Sequence, residues 1–254
     1  MTLLHDKSII ITGASSGIGR AAARIFAAQG ARLVLVARRA DMLDDVAKEI
    51  VRQGGEAVSC PGDVTTAQCH ARAVELALAS YGRLDGAFNN AGIVGAMKPL
   101  AELSDDHWGQ TLAVNLTAAF LATRAQVPAL LAHGGGSLVF TSTFAGSSVG
   151  MPAMGAYGSA KAGLGGLVKS IVADYGHRAI RANALMAGGT DTPAAGTDEA
   201  KAWAAGLHPV GRIARPDEIA NAALFLLSEL SSFVIGSALW ADGGNSATKV
   251  AAGG

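Results

Sequence analysis

Short, continuously apolar runs rich in β-branched residues recur along this chain, each followed by a longer alanine-rich helical pattern, and that rhythm limits the fold more than any other feature. The runs are Ser8 to Thr12, Arg32 to Val36, Ala57 to Cys60, Leu84 to Phe88, Ser137 to Thr141, Ile180 to Leu185 and Ala238 to Ala241. Strands that are apolar throughout, rather than alternating, must be covered on both faces. Their alternation with helices implies right-handed crossovers in a parallel sheet. The expectation is one doubly wound α/β domain over residues 1–254, with a seven-stranded parallel sheet and helices on both faces. With 254 residues, half of them apolar, the chain is long enough to fill such a core. No repeat or linker divides it.

The first run leads directly into Thr12 Gly13 Ala14 Ser15 Ser16 Gly17 Ile18 Gly19, which opens a helix continuing as Arg20 to Phe26. Glycines in that place allow a tight turn and close approach of backbone to a pyrophosphate, and the amides and positive dipole of the helix start attract the anion. A strand, glycine turn and helix in this order predict a Rossmann-type dinucleotide site. At the end of the second strand an acidic residue would hold a ribose 2′-hydroxyl, whereas an arginine accommodates a 2′-phosphate. This chain has Ala37, Arg38 and Arg39 there. Arg38 above all is placed to pair with phosphate, so NADP(H) is expected in preference to NAD(H). The alternative is that both arginines are solvated charges at the start of the next helix.

Further along, Tyr157 and Lys161 lie one helical turn apart on the same face. A fixed cation that favours phenolate would bring a tyrosine toward a useful range for acid–base work. Taken alone, the pair reads as a solvated helix face.

The glycine spacing, Gly13, Gly17 and Gly19, resembles the TGxxxGxG turn of the short-chain dehydrogenase/reductase family. Asn89 Asn90 Ala91 Gly92, Asn115, Ser142 and the Tyr157, Lys161 pair follow in the family's order, from about residue 5 to 245. The resemblance is to the classical subgroup. It implies that Tyr157 is the general acid and base, that Ser142 donates to the substrate oxygen, and that Lys161 lowers the phenol pKa and binds the nicotinamide ribose. By the same resemblance Asn115 holds a water that relays protons to Lys161. Asp63 and Val64 bracket the adenine, Asn89 supports the sheet and the adenosine ribose, and Ala91 and Gly92 let the cofactor lie close. Gly188, the Thr190 backbone and the Thr192 hydroxyl are expected at the nicotinamide amide. The family's usual proline is replaced by Ala187, which predicts a less preorganised loop.

The segment 187–212, rich in Gly, Ala, Thr and Pro, reads as a substrate lid. Ile93, Val94, Ala96, Phe144, Val149, Met151, Met154, Trp203 and Leu207 make an apolar, uncharged pocket, which suits a hydrophobic ketone or secondary alcohol. Trp203 would cap the substrate or pack the lid helix, and His208 reads as a packing or surface residue rather than a second base. A 3-oxoacyl carrier-protein reductase would need a basic mouth, which the sequence lacks. A nucleotide-sensing protein without turnover would not need Ser142, Tyr157 and Lys161.

Twenty basic and twenty acidic residues cancel without runs of like charge, so neither nucleic acid nor an anionic membrane is an expected partner. No apolar run approaches the ~18 residues of a membrane span. The start does not resemble a signal peptide, and Cys60 and Cys69 are too few for a disulfide framework or a zinc cluster, which together suggest a cytoplasmic protein without a structural metal. A bridge between the two cysteines remains the alternative. Family resemblance implies a homotetramer pairing the helices that carry Asn115 and Tyr157, and the tail from Asn245 to Gly254 is expected to dock on a neighbouring copy or stay mobile.

Overall fold

The computed structural model of the chain describes residues 2 to 248, so positions 249–254 of the expected tail lie outside the described residues. Seven strands form one parallel sheet: β1 (Ser8–Thr12), β2 (Arg32–Ala37), β3 (Glu56–Pro61), β4 (Gly86–Asn89), β5 (Gly136–Thr143), β6 (Ile180–Ala187) and β7 (Ala238–Ala241). Their order is β3-β2-β1-β4-β5-β6-β7, which places the topological switch point between β1 and β4.

The strand residues divide between two cores because successive side chains point to opposite faces. Ile9, Ile11, Leu33, Leu35, Phe88 and Val139 face the layer of α1 (Gly17–Ala28), α2 (Ala40–Arg52) and α8 (Pro216–Leu227). Ile10, Val34, Ala87, Leu138, Phe140 and Ala184 face α3 (Ala67–Tyr81), α5 (Ala118–Ala132) and α6 (Gly155–Tyr175). This two-sided burial accounts for the unbroken apolar runs. In the first layer Phe26 of α1 meets Phe88 of β4, with ring centroids 6.1 Å apart.

Local chemistry sets the helix ends. Thr66 caps α3 by accepting from the Cys69 amide, and Gly82 ends that helix with a φ of 74°, a conformation that costs glycine little. The eighth helix starts with Pro216, and the Glu218 carboxylate reaches back to the Arg215 amide at 2.8 Å. Between α4 (Asp105–Leu112) and α5 the backbone widens into a π-helical turn, Ala113–Thr117. Cys60 and Cys69 are buried free thiols, both pushed upward by burial, Cys69 to about 11. Among the described residues, no helix is long and apolar enough to cross a membrane.

Five strands, β2 to β6, have limits that differ from the sequence reading, and two of these differences bear on the site. Leu84 and Asp85 lie in the turn before β4, where the Asp85 carboxylate accepts from the Ser8 amide at 2.9 Å. The fifth strand runs on to Thr143 because its last two residues pair with Met186 and Ala187 of β6. That extension decides which side chains reach the site.

Candidate active site

The carboxyl edge at the switch point is built largely from backbone. Gly13 and Gly17 have φ of 70° and 53°. A Cβ on Gly19 would collide with the Gly13 carbonyl, and one on Gly13 would come within 3.1 Å of Ala91 Cα. Thr12 Oγ1 accepts from the amides of Asn90 and Ala91, at 2.9 and 3.0 Å. Asn90 Nδ2 donates to the Thr12 carbonyl, and Thr141 donates to Asn90 Oδ1. Thus Asn90, which the sequence reading left out of the site, ties three strands together. Its neighbour Asn89 is closed in a reciprocal amide pair with Gln126 of α5, at 3.0 and 3.1 Å, so both ends of its side chain serve the sheet.

Ser16 precedes α1 without making a side-chain cap, whereas Thr66, Ser104 and Thr197 cap α3, α4 and α7 (Asp198–Gly206). With no acidic residue in its first turn, α1 presents free amides to an anion. Glycines with no room for a Cβ and an uncapped helix start fit the pyrophosphate of a dinucleotide. Ser15 is buried beneath this turn and accepts from Arg39 Nη2 at 3.4 Å, while Arg38 is exposed nearby. Asp63 turns one carboxylate oxygen to the Thr65 amide and hydroxyl, which hold its pKa below the ordinary value with help from Arg38. Val64 is buried, and its carbonyl lies 2.7 Å from His70 Nε2. Ile18 is partly buried in the first turn of α1.

At the other side of the cleft, α6 brings Tyr157 and Lys161 beside the end of β5. Lys161 is 4% exposed, donates to the Thr141 carbonyl at 2.6 Å, and sits 5.9 Å from the centre of the Tyr157 ring. Burial lowers its ammonium to about 8. The Tyr157 residue is partly exposed, yet burial of its hydroxyl pushes the phenol up to about 12, with a hydrogen bond to the Thr143 side chain pulling the other way. The expected lowering of the phenol by Lys161 is therefore not seen in the protein alone: desolvation sets the shift, and the ammonium is committed to Thr141.

The hydroxyl beside Tyr157 belongs to Thr143. Ser142 is 2% exposed and donates to the Lys161 carbonyl at 2.9 Å, so it fastens α6 to the sheet and does not open onto the cleft. The reason is strand alternation: residues 141 and 143 share one face and residue 142 takes the other.

Asn115 lies in the π turn, a distortion that re-aims a side chain by one extra residue. Its amide accepts from the Ile93 amide at 3.2 Å and donates to the carbonyls of Ile93 and Thr111. Gly92 lies against it: a Cβ there would stand 2.8 Å from Asn115 Oδ1 and 3.2 Å from Lys161 Nζ. A cavity of about 20 Å³, bounded by Lys161, Asn115, Thr141, Thr12, Asn89 and His70, has room for one water.

The segment after β6 closes the edge. Ala187 stays in the strand, paired with Thr143 and Ala241, so the irregular path begins at Gly188. The Asp191 amide donates to Ala214, the Ala214 amide donates to Gly189, and Thr190 donates to the Gly188 carbonyl. The Thr192 methyl reaches across to Gly17, where a Cβ would come within 2.9 Å of it. Phe144 is buried, whereas Trp203 on α7 is 57% exposed.

A parallel sheet of this order, with a glycine turn at its switch point and a tyrosine and lysine at the same edge, defines a nucleotide-dependent α/β oxidoreductase. A family model described as Enoyl-(Acyl carrier protein) reductase matches residues 13–246. The chain is 38% identical over 239 residues to a cyclohexanol dehydrogenase of Acinetobacter sp. (strain SE19), covering 94% of each protein. It is 41% identical to a 2,5-dichloro-2,5-cyclohexadiene-1,4-diol dehydrogenase of Sphingobium indicum, covering 96% of this chain and 98% of that protein. Among solved structures, a 7α-hydroxysteroid dehydrogenase complexed with NADH and 7-oxo glycochenodeoxycholic acid superposes with a TM-score of 0.89 at 33% identity, covering 95% and 94% of the two chains. A Beutenbergia cavernae protein with bound NADP at low occupancy gives 0.89 at 35% identity, covering 96% and 98%. The chain belongs to the short-chain dehydrogenase/reductase family, an oxidoreductase family that uses nicotinamide cofactors.

Proposed function

We propose that the chain transfers a hydride between NADP(H) and a ring-borne secondary alcohol or its ketone, with Tyr157 Oη handling the proton on the substrate oxygen. The observation that carries this reading is the meeting of Thr143, Tyr157 and Lys161 at the carboxyl edge of β5. When bound, a nicotinamide cofactor supplies the hydride chemistry, and the protein positions the carbon and moves the proton. In reduction, the Tyr157 phenol donates to the developing alkoxide while Thr143, in place of Ser142, donates a second hydrogen bond to the same oxygen. Lys161 keeps a positive charge beside the phenolate that remains, and a water in the cavity shared with Asn115 returns a proton through Lys161.

Preference for NADP(H) is supported by Ala37 where an acidic residue would otherwise hold a ribose, and by Arg38 and Arg39 at the mouth. Arg39, already held near Ser15, shares the role first assigned to Arg38. The ring substrate is supported by the buried, apolar Phe144 and by two relatives that act on six-membered carbocycles, cyclohexanol and a cyclohexadiene diol. Residues 187–212 serve as the lid, and the assembly is a homotetramer acting in the cytoplasm. A spectrophotometric panel of cyclic ketones and alcohols with NADPH and NADH tests the reading. Turnover of cyclohexanone-like ketones faster with NADPH is expected, and turnover confined to NADH or to carrier-bound acyl groups would overturn it.

A further inference from the structure

The imidazole of His208 is 2% exposed although it stands just past the end of α7, a helix none of whose residues is buried. Its Nδ1 lies 2.7 Å from the Ala204 carbonyl, and its Nε2 accepts from the Gly189 amide at 3.0 Å. A carbonyl can only accept and an amide can only donate. The ring must therefore carry its single proton on Nδ1 and be neutral. Backbone forms the slot: a Cβ on Gly188 would stand 2.8 Å from Nε2, and one on Gly189 2.9 Å from Cε1. Phe144 closes it edge-on, with centroids 6.2 Å apart.

We infer that His208 is a positioning residue, whose imidazole latches α7 onto the Gly188–Thr192 segment through both ring nitrogens. The inference rests on the reading of that segment as the nicotinamide-contacting part of the lid. Between α7 and the segment, the other polar tie among the described residues is the Lys201–Asp191 pair, 2.8 Å long but exposed and so worth little. The imidazole tie is buried, so its loss leaves the Gly189 amide without a partner.

The charged groups around the ring are engaged with other partners. Arg212, Glu218 and Asp242 share with it a cavity of about 260 Å³. Arg212 and Glu218 are paired at 2.7 Å, and the two oxygens of Asp242 accept from the amides of Gly244 and Ser246. Asp191 is held by Lys201. The ring itself makes its two hydrogen bonds to backbone alone.

Two variants separate the latch from simple packing. His208→Gln keeps an acceptor for Gly189, whereas His208→Leu removes the acceptor. His208→Leu should raise the cofactor Kd and the ketone KM about tenfold, with kcat changed much less, as expected for one buried hydrogen bond lost. His208→Gln should stay within about threefold of wild type in both constants. Two readouts need no turnover. Nitrogen NMR should show the Nδ1-protonated tautomer, and hydrogen exchange at Gly189 should accelerate in His208→Leu but not in His208→Gln. An Nε2-protonated ring, unchanged Gly189 exchange in a folded His208→Leu, or unchanged binding in that variant would overturn the latch. Failure of the oxidoreductase reading would appear instead as the absence of ketone turnover in wild type, with the tautomer and exchange results unaffected.

Discussion

The glycine edge at β1 and β4 and the segment between β6 and α8 flank the same cleft, but they are held in different ways. On the glycine edge, backbone packs directly on backbone, Gly13 against Ala91 and Gly19 against the Gly13 carbonyl. Across the cleft, the backbone bonds of Asp191 and Gly189 with Ala214 are supplemented by side-chain ties, through His208, Lys201 with Asp191, and Arg212 with Glu218. Backbone contacts leave no room for substitution, whereas side-chain ties can be replaced without disturbing the sheet. Such a division lets one fold keep a cofactor site while the substrate changes.

The largest effect should come from the end of β5, across the cleft from the glycine edge. Tyr157→Phe removes the transferable proton and leaves the ring in place, so turnover should fall by about 10³ while cofactor affinity stays within about twofold. Stopped-flow reduction together with equilibrium cofactor titration checks both halves. If turnover persisted, the phenol beside Thr143 would not be where the chemistry lies.

Next in size, replacing Arg38 and Arg39 together with alanine should weaken NADPH binding by about ten- to a hundredfold and leave NADH nearly unchanged. Fluorescence titration with both cofactors decides it. Equal losses for the two would assign the arginines to general anion attraction and blur the contrast between a selective edge and a plastic lid.

The pH profile gives a smaller and differently shaped signal. A phenol pushed up to about 12 stays protonated through neutral pH, so ketone reduction should not decline there on account of Tyr157. Lys161, lowered to about 8 by burial, loses its charge first, and the rate of reduction should fall as the pH rises through that value. A reductive rate that climbed above about pH 8 would contradict the role given to Lys161. Smallest of all, Trp203→Ala should leave the melting temperature nearly unchanged, since the side chain is 57% exposed. It should change KM by about two- to fivefold for bulky ketones only.

Legibility in the sequence followed the same division. The sheet could be read because strands covered on both faces are apolar throughout, and the glycine turn because it sits directly between a strand and a helix. Tyr157 and Lys161 were readable from a four-residue spacing on one helix. Ser142 misled because the end of β5 is set by pairing of Ser142 and Thr143 with β6, a tertiary fact with no local mark. One residue of strand length exchanged the hydroxyl that faces α6 for the one that faces the phenol. The π turn around Asn115 was invisible to a 3.6-residue period, and His208 became a structural tie only through Gly189, nineteen residues earlier. The phenol's upward shift depends on burial depth, which spacing does not record.

Register at the end of β5 is therefore the point on which the site turns, and steady-state kinetics of Thr143→Val and Ser142→Ala, measured side by side on one cyclic ketone, test it most directly. Thr143→Val should lower kcat by about 10² or more through loss of a donor to the developing alkoxide. Ser142→Ala should keep kcat within about threefold and cost about 1 kcal/mol of stability through its lost bond to the Lys161 carbonyl. The reverse pattern, with Ser142→Ala inactive and Thr143→Val close to wild type, would contradict the account.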